Sequence, residues 1–208
     1  MKAYLVNCEW LDEDNSRIRF ADHSVTARRE GACQLEVEFC DVTCRRAPEF
    51  DEFAPGPVPM TVLIKHGWWM ECMGCGIRVD DDPYDHDKDE PLDLDPVDHG
   101  SVVFCTPACK EKWLADKAME KRITVATIQW LESELLQKLP EAEIVEDGDR
   151  LGTYVYVDRG TVVNGRISFR FPGCEIGPAH FAFNGKDEAP VVTVCSGDMD
   201  AFNAWRAA

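Results

Sequence analysis

Residues 68–80 read WWMECMGCGIRVD, and they place Cys72 and Cys75 in a C-x2-C pair shortly after two tryptophans. A second pair, Cys105 and Cys109, follows after twenty-nine intervening residues. Zinc prefers four soft ligands in a tetrahedron, and a C-x2-C turn presents two thiolates to one side of the ion. We therefore predict a structural Zn2+ site formed by these four cysteines, against the alternative that they are buried, reduced thiols.

The residues around the two pairs indicate how such a site is built. Gly74 and Gly76 suit a tight turn, because glycine tolerates the positive φ angles that the turn demands. Cys105 ends an apolar stretch, and Pro107 suits the first position of a helix that carries Cys109 in its first turn. The predicted order of elements is a knuckle, a hairpin and then a helix that carries ligands. This order resembles that of a treble-clef zinc finger.

Histidines near the pairs raise two alternatives. His66 or His86 can replace one cysteine as a ligand, although no spacing favours either. The order CMGCG, VDHG and CTPACK is similar to that of the HNH nucleases, whose cysteine pairs brace a catalytic Asp-His beside a divalent metal. Only five residues separate His99 from Cys105, too few for the rest of that site. We therefore expect no catalytic residues and no enzymatic activity.

Six cysteines lie outside the two pairs: Cys8, Cys33, Cys40, Cys44, Cys174 and Cys195. The C-x3-C spacing of Cys40 and Cys44 raises the possibility of a second metal site. In a strand, however, residues four apart lie about 13 Å apart, which one ion does not bridge. We therefore predict that all six are small buried apolar residues.

Charge and length limit the classes of function. The chain has 208 residues, a formal net charge of −17 and a pI near 4.6. Such acidity argues against a general affinity for DNA, RNA or anionic lipid, because neutralising phosphates takes clustered Lys and Arg. The apolar stretch in MKAYLVNCEWLDEDN is too short for a signal peptide or a membrane span, which predicts a cytosolic protein with reduced thiols.

Residues 80–98, between the cysteine pairs, carry ten carboxylates and one lysine, and we call them the acidic insert. Like charges repel one another, so this stretch predicts a solvated loop. DHDKDE is similar to a calcium-binding loop, but Glu90 replaces the required Gly and Pro96 the required Glu, which argues against calcium. The insert is either a solvated insertion or a phosphate-like array for a basic groove on a partner. The candidate partner-binding residues are Asp80, Asp81, Asp82, Asp85, Asp87, Asp89 and Glu90.

Proline- and aspartate-rich stretches divide the chain into three predicted units of an α+β protein. They are an N-terminal αβ unit at 1–56, a zinc-knuckle module with the acidic insert and a long helix at 57–139, and a β-rich unit at 140–208. The run APEFDEFAPGPVP at 47–59 is expected to be an irregular linker, because its prolines and glycine oppose regular structure.

Hydrophobic periodicity predicts the elements of these units. The first unit has strands at KAYLV and RIRFA, a helix at SVTARREGACQL capped by Ser24, and a returning strand at EVEFCDVTCRR. A helix from Pro107 to Leu139 follows, although the β-branched run ITVATI can divide it in two. The last unit has β-branched and aromatic stretches that predict a mostly antiparallel sheet, covered by the long helix and a terminal helix at DMDAFNAW. The predicted strands of this sheet are AEIVE, TYVYVD, VVNGRISFRF, HFAFN and VVTVC.

Residues 20–51, FADHSVTARREGACQLEVEFCDVTCRRAPEFD, resemble small proteins encoded in tailed bacteriophages and prophages. Those proteins share a FAxTxxxAR opening to a helix, a strand and an RRAPEFD ending, and GWWMECMGCG and VFCTPACKEKW are similar to their zinc-knuckle versions. The resemblance covers roughly the first 130 residues and does not extend to 141–208. It implies a non-structural phage protein in the cytoplasm of the bacterial host, and it supplies no catalytic residues.

These patterns favour a non-enzymatic, zinc-stabilised accessory protein that binds a host protein of the defence or transcription machinery. The expected partner is a basic, nucleic-acid-handling complex, with no direct binding to nucleic acid or membrane. A rival class is a zinc-finger regulator of nucleic acid, and an HNH-like nuclease is the least favoured. The rival would use Lys110, Lys112, Lys117, Lys121 and Arg122 of the long helix. Acids interleaved among these cations favour a solvated, ion-paired helix instead.

Overall fold

The structure is a computed structural model, and it describes residues 1–8, 16–85, 88–145, 152–185 and 188–207. The chain divides into two compact units, Met1–Lys110 (unit 1) and Glu111–Ala208 (unit 2). Helices and antiparallel sheets occur together, which confirms the α+β fold class. The division into three sequence units stays a prediction.

Unit 1 begins with a three-stranded antiparallel sheet. Strand β1 (Lys2–Cys8) lies between β2 (Arg17–Ala21) and β3 (Val42–Arg46). Helix α1 (Ser24–Leu35) follows β2, which confirms both strand predictions and the helix. The N-cap is His23 and makes no side-chain hydrogen bond, so the prediction that Ser24 caps the helix is wrong. The returning strand is shorter than predicted, because residues 39–41 form a 3-10 turn.

The stretch at 47–59 packs in the core of unit 1, so the prediction of a linker is wrong, although residues 54–59 form no helix or strand, as predicted. Residues Pro48–Phe53 form a 3-10 helix, in which Phe50 is 3% exposed. Phe50 packs in a core cluster with Ala3 and Leu63, and Asp51 accepts a hydrogen bond from the Ala3 amide at 2.7 Å. Burial of this aromatic ring against the sheet outweighs the local disorder that the prolines indicate.

Short elements build the rest of unit 1. Helix α2 (Met60–Lys65) precedes three antiparallel hairpins of two or three residues per strand. The acidic insert therefore contains a small hairpin, where a loop was predicted. The hairpins pair β4 (Met70–Glu71) with β5 (Arg78–Val79), β6 (Tyr84–Asp85) with β7 (Glu90–Pro91), and β8 (Val97–His99) with β9 (Val102–Phe104).

Helix α3 (Pro107–Lys138) confirms the long-helix prediction and is continuous through its β-branched run. The Cys109 amide donates to the Thr106 hydroxyl at 3.2 Å, the contact expected of a residue that caps the first turn. Only Leu131 and Leu135 of this helix are buried. Among the described residues, no helix combines the length and apolar character needed to cross a membrane.

Unit 2 contains a five-stranded antiparallel sheet whose central strand is β12. Leu135 of α3 and Phe202 of the terminal helix α4 (Met199–Ala207) belong to the same core cluster as the sheet residues Phe169 and Phe181. The prediction that both helices cover the sheet is therefore confirmed. The strands are β10 (Glu143–Ile144), β11 (Tyr154–Asp158), β12 (Thr161–Arg170), β13 (Ala179–Phe183) and β14 (Val191–Thr193).

Candidate metal centre

All four cysteines predicted as ligands come together in unit 1. The sulfurs of Cys72, Cys75, Cys105 and Cys109 lie within 4.8 Å of one another. Cys72 Sγ lies 3.5 Å from Cys109 Sγ, and Cys75 Sγ lies 3.6 Å from Cys105 Sγ, so each close pair joins the two sequence motifs. This arrangement is compatible with one metal ion bound by all four sulfurs.

Backbone hydrogen bonds hold the first cysteine pair in place. The Cys72 amide donates to the Ile77 carbonyl, and the Gly76 amide donates to the Cys72 carbonyl, both at 2.8 Å. The Met73 amide donates to the Val103 carbonyl at 2.9 Å, which ties this knuckle to strand β9. The knuckle therefore has a defined backbone shape through contacts that do not involve the sulfurs.

The two glycines of the knuckle serve different purposes. Gly76 has φ of +76°, as predicted for a tight turn. The φ angle of Gly74 is not positive, contrary to expectation. A Cβ at Gly74 would lie 2.6 Å from Cys109 Sγ, so glycine is needed there for the close approach of the second cysteine pair. Only the tertiary contact explains this residue.

The second pair spans the junction between β9 and α3. Cys105 directly follows the strand and donates its amide to Cys72 Sγ at 3.3 Å. Such amide-to-sulfur bonds stabilise thiolate charge in metal centres. Cys109 lies in the first helical turn, where the helix dipole also favours a thiolate. Cys72 and Cys105 are buried, whereas Cys75 is exposed to solvent.

The four thiols respond unequally to this environment. Burial alone would raise the pKa of Cys72, but amide hydrogen bonds from Cys105, Cys75 and Gly74 outweigh burial and lower the pKa to about 6. Burial and the neighbouring sulfurs raise the pKa of Cys105 to about 11, and they also raise the pKa of Cys109. One thiolate therefore forms readily, and further ionisation of the crowded group requires a compensating positive charge.

Of the histidine alternatives, His66 does not join this cluster. The ring of His66 packs edge-on against Phe50 with centroids 4.9 Å apart, and His86 lies outside the described residues. His99 ends strand β8 and is exposed. Within the described part of the chain, the four cysteines form the one group of three or more Cys, His, Asp or Glu residues close enough to share an ion.

The remaining cysteines differ from the prediction that all are buried. Cys8 is buried, but Cys33, Cys40 and Cys195 are exposed, and Cys44 and Cys174 are half-buried. Cys40 lies in a 3-10 turn, where the strand spacing used above does not apply. Cys8 is buried because it lies in the central strand of the first sheet, whereas Cys33 is an exposed residue of helix α1.

Residues of the acidic insert are mostly exposed, as their charge predicts. Asp81, Asp82, Asp89 and Glu90 are exposed, and Asp87 lies outside the described residues. Besides Asp98, three carboxylates of the insert have partners among the described residues. Arg78 Nε donates to Asp80 at 2.7 Å, Lys88 pairs with Asp85 at 3.0 Å, and the Tyr84 hydroxyl donates to Asp89 at 2.7 Å.

Sequence reasoning missed a structural role for Asp98. Its carboxylate accepts hydrogen bonds from both the amide and the hydroxyl of Thr61, which ties α2 to strand β8. Asp98 also lines a groove of about 670 Å3, together with Asp80, Asp95 and the apolar Leu94. No local pattern indicates the contact, because 37 residues separate its two partners.

The four sulfurs can supply all four ligands of one tetrahedral metal ion. Structural zinc sites use four protein ligands, whereas catalytic sites keep one position open for water or substrate. No protein-family model, no curated protein and no solved structure matches this chain.

Proposed function

We propose that this protein is a non-enzymatic, zinc-stabilised accessory protein that binds and modulates a host protein. The observation that carries the proposal is the convergence of four cysteine sulfurs within 4.8 Å. A zinc ion with four sulfurs at 2.3 Å implies sulfur separations of about 3.8 Å, close to the observed pairs. A single ion suits this spacing better than an iron–sulfur cluster, in which different sulfurs bind different iron atoms.

The proposed role of the ion is structural. The hairpins on either side of the cysteines have strands of only two or three residues, and isolated hairpins of this size are marginally stable at best. When bound, zinc cross-links the knuckle after β4 to the first turn of α3. The chain then has no need of a large apolar core around these hairpins, because ligand binding supplies folding free energy.

The proposed partner surface is the acidic insert. Residues 1–110 contain 23 Asp and Glu against 11 Lys and Arg, so unit 1 carries most of the negative charge of the chain. The exposed carboxylates of Asp81, Asp82, Asp89 and Glu90 are complementary in charge to a basic groove that normally binds phosphates. We identify the partner by this chemistry as a basic, nucleic-acid-handling host protein of the defence or transcription machinery. The resemblance of residues 20–51 to phage proteins supports a setting in the bacterial cytoplasm.

The rival nucleic-acid surface on α3 receives less support. Lys110 donates to the Asp98 carbonyl at 2.8 Å, and Lys117 pairs with Glu120 at 2.7 Å. The first contact engages Lys110 with strand β8, and the second is an ion pair on the helix surface, so both cations already have partners within the chain. A gel-shift titration against single- and double-stranded DNA at low and moderate salt separates the two functions, and tight binding at moderate salt would favour the rival.

Metal analysis of the purified protein tests the zinc site. We expect one zinc per chain by elemental mass spectrometry, and loss of that zinc in the double variant Cys72→Ser, Cys75→Ser. The matched control Cys33→Ser, Cys195→Ser changes two exposed cysteines outside the cluster and should keep the metal. A metal-free wild-type protein, or iron in place of zinc, would contradict this part of the proposal.

Affinity capture from a bacterial lysate tests the partner surface. The tagged protein should retain one dominant basic protein at moderate salt, identified by mass spectrometry. Neutralising Asp81, Asp82, Asp89 and Glu90 to their amides should release it. A control that neutralises the exposed Glu30, Glu49, Asp116 and Asp158 removes the same charge elsewhere. Equal loss in both variants would mean that net charge, and not the insert, determines binding.

A further inference from the structure

We propose that the open edge of strand β2 in unit 1 binds an extended, acidic segment of another protein as an additional strand. β2 is an outer strand of the first sheet, and among the described residues it pairs with β1 alone. A groove with a volume of about 660 Å3 runs along β2 and is lined by residues 16–20. It shares no lining residue with the metal centre or the acidic insert, so this inference does not rest on the proposed function.

The strand register shows which backbone groups face the groove. The Ala3 amide donates to the Asp51 carboxylate at 2.7 Å, and the Ala3 carbonyl accepts from the Ala47 amide at 3.0 Å. Ala3 lies opposite Phe20 and therefore directs its backbone groups away from β2, so the amide and carbonyl of Phe20 point outward. The same alternation turns the backbone groups of Ile18 outward. Within the described part of the chain, neither residue has a backbone partner on that side.

The two walls of the groove differ in polarity. Ile18 and Phe20 pack against a core cluster of unit 1 together with Trp68 and Met70, and all four line the groove. Arg19 points to the opposite face of the strand, where helix α1 provides the second wall. An added strand would therefore present every second side chain to an apolar wall and the others to a polar wall. Strand addition of this kind takes its affinity from main-chain hydrogen bonds and its specificity from alternate side chains.

The polar wall favours an acidic segment. Arg17 and Arg19 both line the groove. Arg19 is half-buried, and among the residues that the structure describes its Nε atom has no hydrogen-bond partner. A carboxylate on the added strand would accept from this donor and form a cross-strand pair of opposite charge. Glu30 also lines this wall, but it is exposed, so water screens its charge.

The same arginines argue against a second copy of this chain as the occupant. If two β2 strands paired along their open edges, Ile18 and Phe20 would have to pair with their counterparts. Arg17 and Arg19 of both copies would then lie on one face of the joined strands. Like charges opposite one another destabilise a strand pair. A basic segment is disfavoured for the same reason, whereas an acidic one is complementary.

The first test uses the full chain with its metal, labelled with nitrogen-15, and a capped heptapeptide of alternating valine and glutamate. In the free protein, the amides of Ile18 and Phe20 should exchange with deuterium faster than the amide of Arg19, which points toward β1. The peptide should shift the signals of both outward amides saturably and slow their exchange at least about tenfold. Absence of both changes at millimolar peptide would overturn the proposal.

N-methylated peptides distinguish strand addition from other modes of binding. Methylation of a peptide nitrogen removes its hydrogen-bond donor, and successive amides of a strand point to opposite sides. One peptide is methylated at its valine nitrogens and the other at its glutamate nitrogens. We expect one set to abolish binding and the other to keep it. Loss with the valine set indicates antiparallel addition and loss with the glutamate set indicates parallel addition, whereas equal affinities would contradict the proposal.

A charge comparison tests the role of the polar wall. The chain has a net charge of −17, so general attraction would favour a peptide with lysine in place of glutamate. We expect the reverse, with the lysine peptide at least about fivefold weaker. Arg19→Gln should weaken binding of the glutamate peptide by about twofold to fivefold. The control Arg29→Gln removes an exposed cation of α1 outside the groove and should leave the affinity unchanged.

Equal weakening by the two arginine variants, or tighter binding of the lysine peptide, would overturn the proposal. The lysine peptide keeps this test valid even if Arg19→Gln fails to fold. Two further results would assign the groove to another occupant and also overturn the proposal. One is peptide binding only after glycine and serine replace residues 9–15, which lie outside the described residues. The other is a dimer in which the amides of Ile18 and Phe20 are protected without peptide.

Discussion

Unit 1 and unit 2 are of similar length but bury apolar residues in different ways. Among the described residues, unit 2 has one cluster of eleven buried residues, five of them phenylalanines, which joins its sheet to helices α3 and α4. In the described part of unit 1, clusters of six and five buried residues lie around the first sheet. The hairpins of unit 1 have two or three residues per strand and bury Val79, Val103 and Phe104. The four-sulfur cluster lies among those hairpins.

The difference indicates two sources of stability in one chain. A continuous aromatic core stabilises unit 2 through removal of apolar surface from water. Isolated hairpins with strands of two or three residues are marginally stable at best, so a metal cross-link has most to contribute in this part of unit 1. Each unit should accordingly respond to a different perturbation, and four changes test this in order of decreasing effect.

The double variant Cys72→Ser, Cys105→Ser should have the largest effect. It removes one ligand from each motif, and structural zinc contributes on the order of 10 kcal/mol in small zinc modules. We expect the amide signals of residues 57–110 to collapse to unfolded positions in two-dimensional NMR, while those of β12 and β13 remain. Uniform retention of signals would show that the hairpins fold without metal. The control Cys33→Ser, Cys195→Ser should keep a wild-type spectrum.

Phe181→Ala should destabilise unit 2 and leave the metal site of unit 1 intact. Phe181 is 1% exposed at the centre of the unit 2 core, so truncation should cost about 3–5 kcal/mol through lost burial and a cavity. Denaturant unfolding should show the loss in unit 2, while the zinc content of unit 1 stays unchanged. Val191→Ala removes an apolar side chain that is 56% exposed and should cost less than about 0.5 kcal/mol. A simultaneous loss of zinc would mean that the two units do not respond separately.

Gly74→Ala should weaken the metal site without removing a ligand. The added methyl would lie 2.6 Å from Cys109 Sγ, and overpacking of this kind costs about 1–3 kcal/mol. Competition for zinc with a coloured chelator measures the expected drop in affinity, about tenfold or more. Gly56→Ala is the matched control, because the nearest atom to its Cβ is Phe53 O at 3.7 Å. Identical affinities for the two variants would argue against close packing at the knuckle.

The smallest predicted effect is a pH dependence of unit 2. Burial, followed by the charge of Arg166, lowers the pKa of His180 below its ordinary value of 6.5. The unfolded chain therefore binds the proton more readily than the folded chain, so this contribution to stability is present above pH 6.5 and is lost as the pH falls. His180 is only half-buried, so solvent screens the effect to a fraction of a kcal/mol, about one degree in melting temperature.

Comparison with His180→Gln checks this prediction. The glutamine keeps a polar partner for the Ser168 hydroxyl, which lies 3.1 Å from His180 Nδ1. Between about pH 7.5 and pH 5.5, the melting temperature of unit 2 should fall further in the wild-type protein than in the variant. An equal loss in both proteins would assign the pH dependence to other groups. His23→Gln, in the exposed N-cap of α1, serves as the control.

Local patterns predicted the regular elements well. The bounds of α1 match the predicted segment SVTARREGACQL, and α3 ends one residue before the predicted Leu139. The α3 prediction depends on hydrophobic periodicity and on Pro107 and Pro140, and such local signals act over a few residues. The four candidate ligands were also visible in the sequence, because a metal site restricts the residue type and the spacing within each pair.

Local sequence patterns were enough to predict the α+β class, the main helices and strands, and the four cysteines that converge. Three features became visible only in the folded chain: Phe50 packs in a core, Gly74 makes room for Cys109, and Thr61 donates to Asp98. The physical reason is the range of the interactions. Hydrophobic periodicity and ligand spacing involve residues that are near one another in the sequence. Burial and close approach depend on residues that only folding brings together.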